Sequence, residues 1–281
     1  MIKKEIKKFI DNKEVFFSLE FFPPKNEESL SKLNNSFDKL KDFNILFSDV
    51  TCGAGGSTKD GSLSLAKKVK EIFSHEVVLH VTLTGSSTKD ILNYCDEAVS
   101  FGVNNFLALR GDPLPQDLVW QPHKDGPKNT LDFIKILRNR YGKECSIGVS
   151  GYPTPHSDSI SLKSDMKYLK SKAKAGADFI VSQFFFNFED WVNFKSICDK
   201  YQIQKPILPG ILLPTNYEQL IRILNMSKVP MNKDIMFKLE ESKNDKNKFR
   251  SVILDLNYEL CKNLIDFGVP GLHLYTLNNR S

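Results

Sequence analysis

The sequence contains no apolar run near the ~18–20 residues that span a bilayer. Its opening stretch, Met1 to Phe22, interleaves Lys and Glu with apolar residues. Neither a membrane helix nor a secretory leader is expected. Cysteine is sparse: Cys52, Cys95, Cys145, Cys198 and Cys261 are an odd number, far apart and without a CxxC pair. That argues against a disulfide framework or a structural zinc site and for reduced thiols in a cytoplasmic protein. Glycine does not form a nucleotide fingerprint. In Gly53-Ala54-Gly55-Gly56-Ser57, with Gly61 further on, no Lys-Ser/Thr follows and the spacing is not GxGxxG, so a flexible loop is the better reading. No GxSxG elbow or Cys/His signature for covalent catalysis is present. His75 and His123 fall in loops, while His80, His156 and His273 lie on different elements without ligand spacing, so no metal is expected. Charge is nearly balanced, 39 basic against 34 acidic residues. The lysine runs read as solvated helix faces, with no aromatic-lined basic groove for nucleic acid.

What the 281 residues do contain is a regular alternation. β-rich runs occur at Val15 to Phe22, Ile45 to Thr51, Val77 to Thr84, Asn105 to Leu109, Ser146 to Ser150, Phe179 to Phe185, Pro206 to Leu212 and Leu272 to Leu277. Amphipathic helical stretches separate them: Leu30 to Phe43, Leu63 to Phe73, Lys89 to Phe101, Leu131 to Tyr141, Asp165 to Ala175, Trp191 to Tyr201, Tyr217 to Met226 and Phe249 to Phe267. Thr88 reads as a cap before the third helix, and Gly102 and Gly176 follow two of them. No Pro/Gly/Ser-rich linker divides the chain. The pattern predicts one α/β domain over residues 1–281, a (β/α)8 TIM barrel.

In such a barrel the site lies where strands end and βα loops begin. Polar residues interrupt or close the apolar runs at Glu20, Thr51, His80, Thr82, Arg110 with Asp112, Tyr152 with His156, Gln183 and Asn278. Thr51 and Asn278, taken singly, also read as ordinary caps or turn residues. Glu20 stands among Phe16, Phe17, Leu19, Phe21 and Phe22, whose apolar surface would desolvate its charge and favour the protonated acid. That suits a general acid; a structural Glu paired with a base is the alternative. Arg110-Gly111-Asp112-Pro113 places a guanidinium fork, a glycine that admits a ligand and a carboxylate acceptor directly after a strand. An exposed arginine and a turn Asp-Pro are the plainer alternative. Gln183 offers a donor and an acceptor in an apolar wall, or else is a core glutamine satisfied by backbone.

The segments Ser18-Leu19-Glu20-Phe21-Phe22-Pro23-Pro24, Val50-Thr51-Cys52-Gly53-Ala54, His80-Val81-Thr82, Leu109-Arg110-Gly111-Asp112, Gly151-Tyr152-Pro153 with His156, Gln183-Phe184-Phe185-Phe186, Pro209-Gly210-Ile211 and Tyr275-Thr276-Leu277-Asn278 together resemble methylenetetrahydrofolate reductase. They stand in the family's order and cover nearly the whole chain. The resemblance implies an FAD-containing barrel. It passes hydride from NADH or NADPH to the flavin, then to 5,10-methylenetetrahydrofolate, the two substrates taking turns. It implies Glu20 as the acid that protonates folate N10, and Asp112 as the carboxylate that binds the pterin and stabilises the iminium near the flavin. Gln183, Tyr217, Tyr275 and Arg280 fall at substrate positions. Thr51, Cys52, Ala54, His80, Arg110, Gly111, Asp112, Tyr152, His156, Asp165, Tyr168 and Lys172 fall at cofactor positions, Lys172 as a charge partner for the FAD pyrophosphate. It also implies a homo-oligomer.

The chain departs from the family pattern at three points. Asn279 stands where an arginine is usual, with Arg280 next; Cys52 stands where an aromatic is common; and the sequence reaches Ser281 just after the eighth strand, without a closing helix. Three alternatives stand for that gap: cover by Ile2 to Ile10, cover by a neighbouring subunit, or no cover. No regulatory domain is expected, and hence no inhibition by S-adenosylmethionine. Two other readings stay open: a related flavin barrel such as a proline dehydrogenase, and a non-catalytic folate- or flavin-binding descendant.

Overall fold

The computed structural model describes residues 1–40, 42–52, 59–73, 75–114, 116–155, 159 and 161–278. Eight strands close into a parallel barrel in sequence order: β1 Phe16–Phe21, β2 Ile45–Val50, β3 Glu76–Thr82, β4 Asn105–Leu109, β5 Ser146–Gly151, β6 Phe179–Phe184, β7 Ile207–Leu212 and β8 Gly271–Tyr275. Among the described residues ten helices accompany them: α1 Ile2–Asn12, α2 Glu27–Leu40, α3 Lys59–Phe73, α4 Thr88–Ser100, α5 Thr130–Tyr141, α6 Leu162–Ala175, α7 Phe188–Lys200, α8 Tyr217–Ser227, α9 Lys233–Glu240 and α10 Lys246–Phe267. The expected TIM barrel is therefore present.

Side-chain caps start many of the helices. Ser87 accepts from the Asp90 amide and Asp90 accepts back from Ser87, a reciprocal capping box that makes Ser87, not Thr88, the cap of α4. Asn129, Asn216 and Asp245 cap α5, α8 and α10 in the same position.

The N-terminal stretch forms α1, which closes the floor of the barrel. The Ile2 amide donates to Asn105 Oδ1 at 3.1 Å, the Lys3 amide to Ser146 Oγ at 3.2 Å, and the Met1 ammonium to Glu76 Oε1 at 2.6 Å. The starts of β3, β4 and β5 thus satisfy the helix's free N-terminal donors. Ile2 and Ile6 then pack on Phe16, Phe47, Leu107, Phe179 and Leu208 in the lower lumen. Of the alternatives for the face beside β8, cover by Ile2 to Ile10 is thereby ruled out. The outer face of β1 and β8, between α2 and α10, instead carries an apolar cavity of about 760 Å³ lined by Phe17, Leu19, Leu40, Phe43, Leu254 and Leu274, which α1 does not enter. Among the described residues no helix follows β8.

Lumen packing pairs large residues with glycine across the strands. Gly148 is the register partner of both Leu107 and Phe179, and a Cβ there would lie 2.5 Å from Phe179 Cζ and 2.8 Å from Leu107 Cδ1. Both neighbours are buried, so neither can swing into solvent. Gly148→Ala is expected to cost about 1–3 kcal/mol by overpacking. Urea unfolding would show this as a lower midpoint at an unchanged slope.

Candidate active site

Strand register brings the buried polar residues together. Glu20 on β1 is the direct partner of Asp49 on β2 and of Tyr275 on β8, so the three side chains share the lumen face near the strands' C-terminal ends. His80 on β3 reaches the same spot. Its Nε2 lies 3.2 Å from Asp49 Oδ2 and 3.6 Å from Glu20 Oε2. His273 Nε2 stands 4.0 Å from Glu20 Oε2 and 3.9 Å from Asp49 Oδ2, while its Nδ1 is held by Ser18 Oγ at 2.9 Å. All four ionisable groups are buried; Asp49 and His273 are fully so. Burial presses the His80 proton off, but the hydrogen bond to Asp49 and the negative charge of the Glu20–Asp49 carboxyl pair outweigh it and raise the His80 pKa above the usual range. Tyr275 is held neutral by burial and by both carboxylates, and donates to Ser182 O at 2.8 Å.

Two cavities open at the barrel mouth beside this cluster. One, of about 450 Å³, is lined by Arg110, Asp112, Trp120, Tyr152, Thr154 and Gln183 among others. The second, of about 400 Å³, includes Cys52, Thr82, Gly111, Asp165, Tyr168 and Lys172. Arg110, Asp112 and Tyr152 line both, so any two occupants would adjoin there. The Arg110–Asp112 turn is braced from behind: Thr84 Oγ1 donates to Asp112 O at 2.7 Å and accepts from Trp120 Nε1 at 2.9 Å, and the Arg110 guanidinium lies 5.7 Å from the Trp120 ring centre. Gly111 is required in this turn. Its φ is +86°, and a Cβ would sit 2.6 Å from Thr84 Oγ1.

In the second cavity Lys172, on α6, is 5% exposed and donates to Ser150 O at 2.7 Å. Burial pulls its pKa down to about 8, against the opposing charge of Asp165. Asp165 Oδ2 and Thr51 Oγ1 are buried without a hydrogen-bond partner among the described residues.

The sequence-derived candidates divide into clear groups. Cys52, Arg110, Gly111, Asp112, Tyr152, Asp165, Tyr168, Lys172 and Gln183 line the mouth cavities, with Asp112 exposed at the rim. Gln183 Oε1 accepts from its neighbour's amide, Phe184 N, at 3.0 Å. Glu20, His80 and Tyr275 form the lumen cluster instead. Tyr217 packs edge-on to Phe249 at 6.5 Å and lines neither mouth cavity. Asn278 is a structural clamp, its amide bonding both the N–H and the C=O of Phe22. Ala54, His156 and Arg280 lie outside the described residues.

Sequence reasoning did not single out Asp49, Ser18 and His273 in the lumen, or Thr84 and Trp120 behind the turn. The available signal for Asp49 was the period of two: a carboxylate inside an apolar strand run, as Glu20 is. Among the described residues no group of three or more His, Cys, Asp or Glu is placed to hold a metal ion, and no helix is long and apolar enough to cross a membrane.

Fold and side-chain geometry together define a (β/α)8 barrel with two adjoining cavities at its C-terminal mouth and a buried carboxyl cluster beneath them. The chain belongs to the methylenetetrahydrofolate reductase family, whose model matches residues 5–281. It is 34% identical to methylenetetrahydrofolate reductase (NADH) 1 of Arabidopsis thaliana over 98% of its own length and 48% of that protein. It is 33% identical to the probable methylenetetrahydrofolate reductase (NADPH) of Caenorhabditis elegans over 99% of its own length and 42% of that protein. The chain thus spans a little under half the length of these curated relatives. Among solved structures, an uncharacterised Clostridium thermocellum protein that binds two copies of 5-methyl-5,6,7,8-tetrahydrofolic acid shares the fold, with a TM-score of 0.66 at 14% identity over 96% of this chain and 91% of that one.

Proposed function

We propose that the protein is an FAD-dependent reductase that converts 5,10-methylenetetrahydrofolate to 5-methyltetrahydrofolate with electrons from NADH or NADPH, the two substrates taking turns at one site. Residues 1–281 form its catalytic barrel, and a cytoplasmic homo-oligomer belongs to the same reading. The observation that carries it is Glu20, a carboxyl buried at the end of β1 below a mouth of two adjoining cavities, in a chain of this family.

The mouth residues fit FAD. Lys172 offers an ammonium that burial keeps from water, Gly111 borders the second cavity without a side chain, and Asp165 presents there a buried oxygen that still lacks a partner among the described residues. When bound, FAD supplies the two-electron carrier between nicotinamide and folate. Lys172 would pair with its pyrophosphate, and Arg110, Gly111 and Tyr152 would border its ring system.

On the folate side, Glu20 gives its proton to N10, and the five-membered ring opens to an iminium that accepts hydride. Asp112, at the rim shared by both cavities, stabilises that cation; Gln183, whose amide NH₂ is free of the Phe184 contact, binds the pterin edge. Tyr275 packs beside the acid.

Stopped-flow spectroscopy tests the reading. The purified protein should be yellow, its flavin should bleach with NADH or NADPH, and methylenetetrahydrofolate should restore the colour. The ratio of the two bleaching rates identifies the donor. A colourless protein that takes up no FAD would remove the proposal, and bleaching without folate-dependent recovery would favour another flavin barrel.

A further inference from the structure

Two carboxylates share one buried site with two histidines, and only Glu20 has been given a task. Asp49 is fully buried, its Oδ1 has no hydrogen-bond partner among the described residues, and its Oδ2 is the nearer acceptor for His80, at 3.2 Å against 3.6 Å for Glu20. The other titratable groups facing the cluster are His273, whose Nε2 is about equidistant from both carboxylates, and the phenols of Tyr275 and Tyr152, which burial keeps neutral. Two adjacent buried carboxylates do not both ionise readily; one holds the charge and the other the proton. Hydrogen bonding to His80 favours the charge on Asp49.

We propose that Asp49 is a positioning residue for Glu20: paired with His80, it carries the negative charge of the cluster and so keeps the proton on Glu20 until folate takes it. The inference rests on the reading of Glu20 as the acid. In the transfer, the O–H bond of Glu20 breaks and an N–H bond forms at the folate. The electron pair stays on the Glu20 carboxylate, which faces His80 and His273 and later regains a proton from solvent.

Asp49→Asn keeps the shape and removes the charge. The Glu20 carboxyl should then lose its proton at lower pH, and the rate of flavin reoxidation by methylenetetrahydrofolate should begin to fall about one pH unit or more earlier, the usual scale for removing a close like charge. Near neutral pH that rate drops about tenfold and recovers on acidification; flavin reduction by nicotinamide is unchanged. A pH profile that superimposes on the wild type, or a loss equal at every pH, overturns the proposal.

Carbon-13 NMR of side-chain carboxyls in the full-length, flavin-free wild-type protein gives a reading that needs neither the variant nor turnover. Glu20 should remain protonated at a pH where Asp49 is ionised, and the reverse order overturns the inference. If the wild type does not reoxidise with folate, the functional reading fails while the NMR order still judges the charge arrangement.

Discussion

Glu20→Gln is expected to lower the rate of flavin reoxidation by methylenetetrahydrofolate by about 10²–10⁴-fold, the range for losing a positioned general acid, while reduction of the flavin by nicotinamide stays near the wild-type rate. The amide keeps the volume of the side chain in a lumen position that is 6% exposed, so packing is retained. What it cannot do is release a proton to a nitrogen whose ring must open. The nicotinamide half-reaction moves hydride alone and places no demand on that proton. Single-turnover measurements of the two halves distinguish the outcomes. Equal loss in both would mean that Glu20 holds the lumen together through His80 and His273 and is no acid.

The barrel was legible because its strands are apolar runs of five to seven residues separated by helices with one apolar stripe, and the structure places all eight within a residue or two of their predicted ends. Helix starts were less legible for a physical reason. The first turns of α2 and α3 are polar or acidic, as the free N-terminal amides favour, so the apolar stripe begins about one turn inside the helix. The short α9 was missed because eight residues with one buried side chain, Leu239, leave no periodicity to count. α1 was read only as a possible cover because its mixed Lys/Ile pattern identifies a helix face but not which end of the barrel receives it. Asn105 and Ser146, far along the chain, decide that.

At the site, residues directly after strands were found because a barrel puts chemistry there. Asp49 was not, since a carboxylate directly opposite Glu20 in register gains its meaning only when β1 and β2 pair. Thr84 and Trp120 act behind the loop they brace, and no local pattern marks a brace.

Lys172→Met is expected to strengthen the flavin-free protein and weaken its hold on FAD. A lysine that ionises at about 8 in the fold and near the ordinary lysine value of 10.5 when unfolded is a net cost to folding wherever both forms are charged. The shift corresponds to about 3 kcal/mol below pH 8. Between pH 8 and 10.5 the unfolded chain binds the proton and the folded chain does not, so stability of the wild type should rise with pH through that window. Methionine removes the buried charge and keeps an apolar stem of similar length, so most of that cost disappears, less about 1.5–3 kcal/mol for the lost charge-assisted bond to Ser150 O. The variant should therefore be modestly more stable than the wild type at pH 7 and lack the rise above pH 8. FAD binding should move the opposite way: without an ammonium for the pyrophosphate, affinity falls about 10–100-fold, the equivalent of one charged hydrogen bond. In the wild type the same affinity should decline above about pH 8, because binding a dianion there requires Lys172 to take up a proton. Urea titrations and flavin-fluorescence quenching across pH 7 to 10 read both quantities on the same samples. A variant that loses stability and FAD together, with no change in either pH slope, would show that Lys172 is a packing residue that happens to carry a charge.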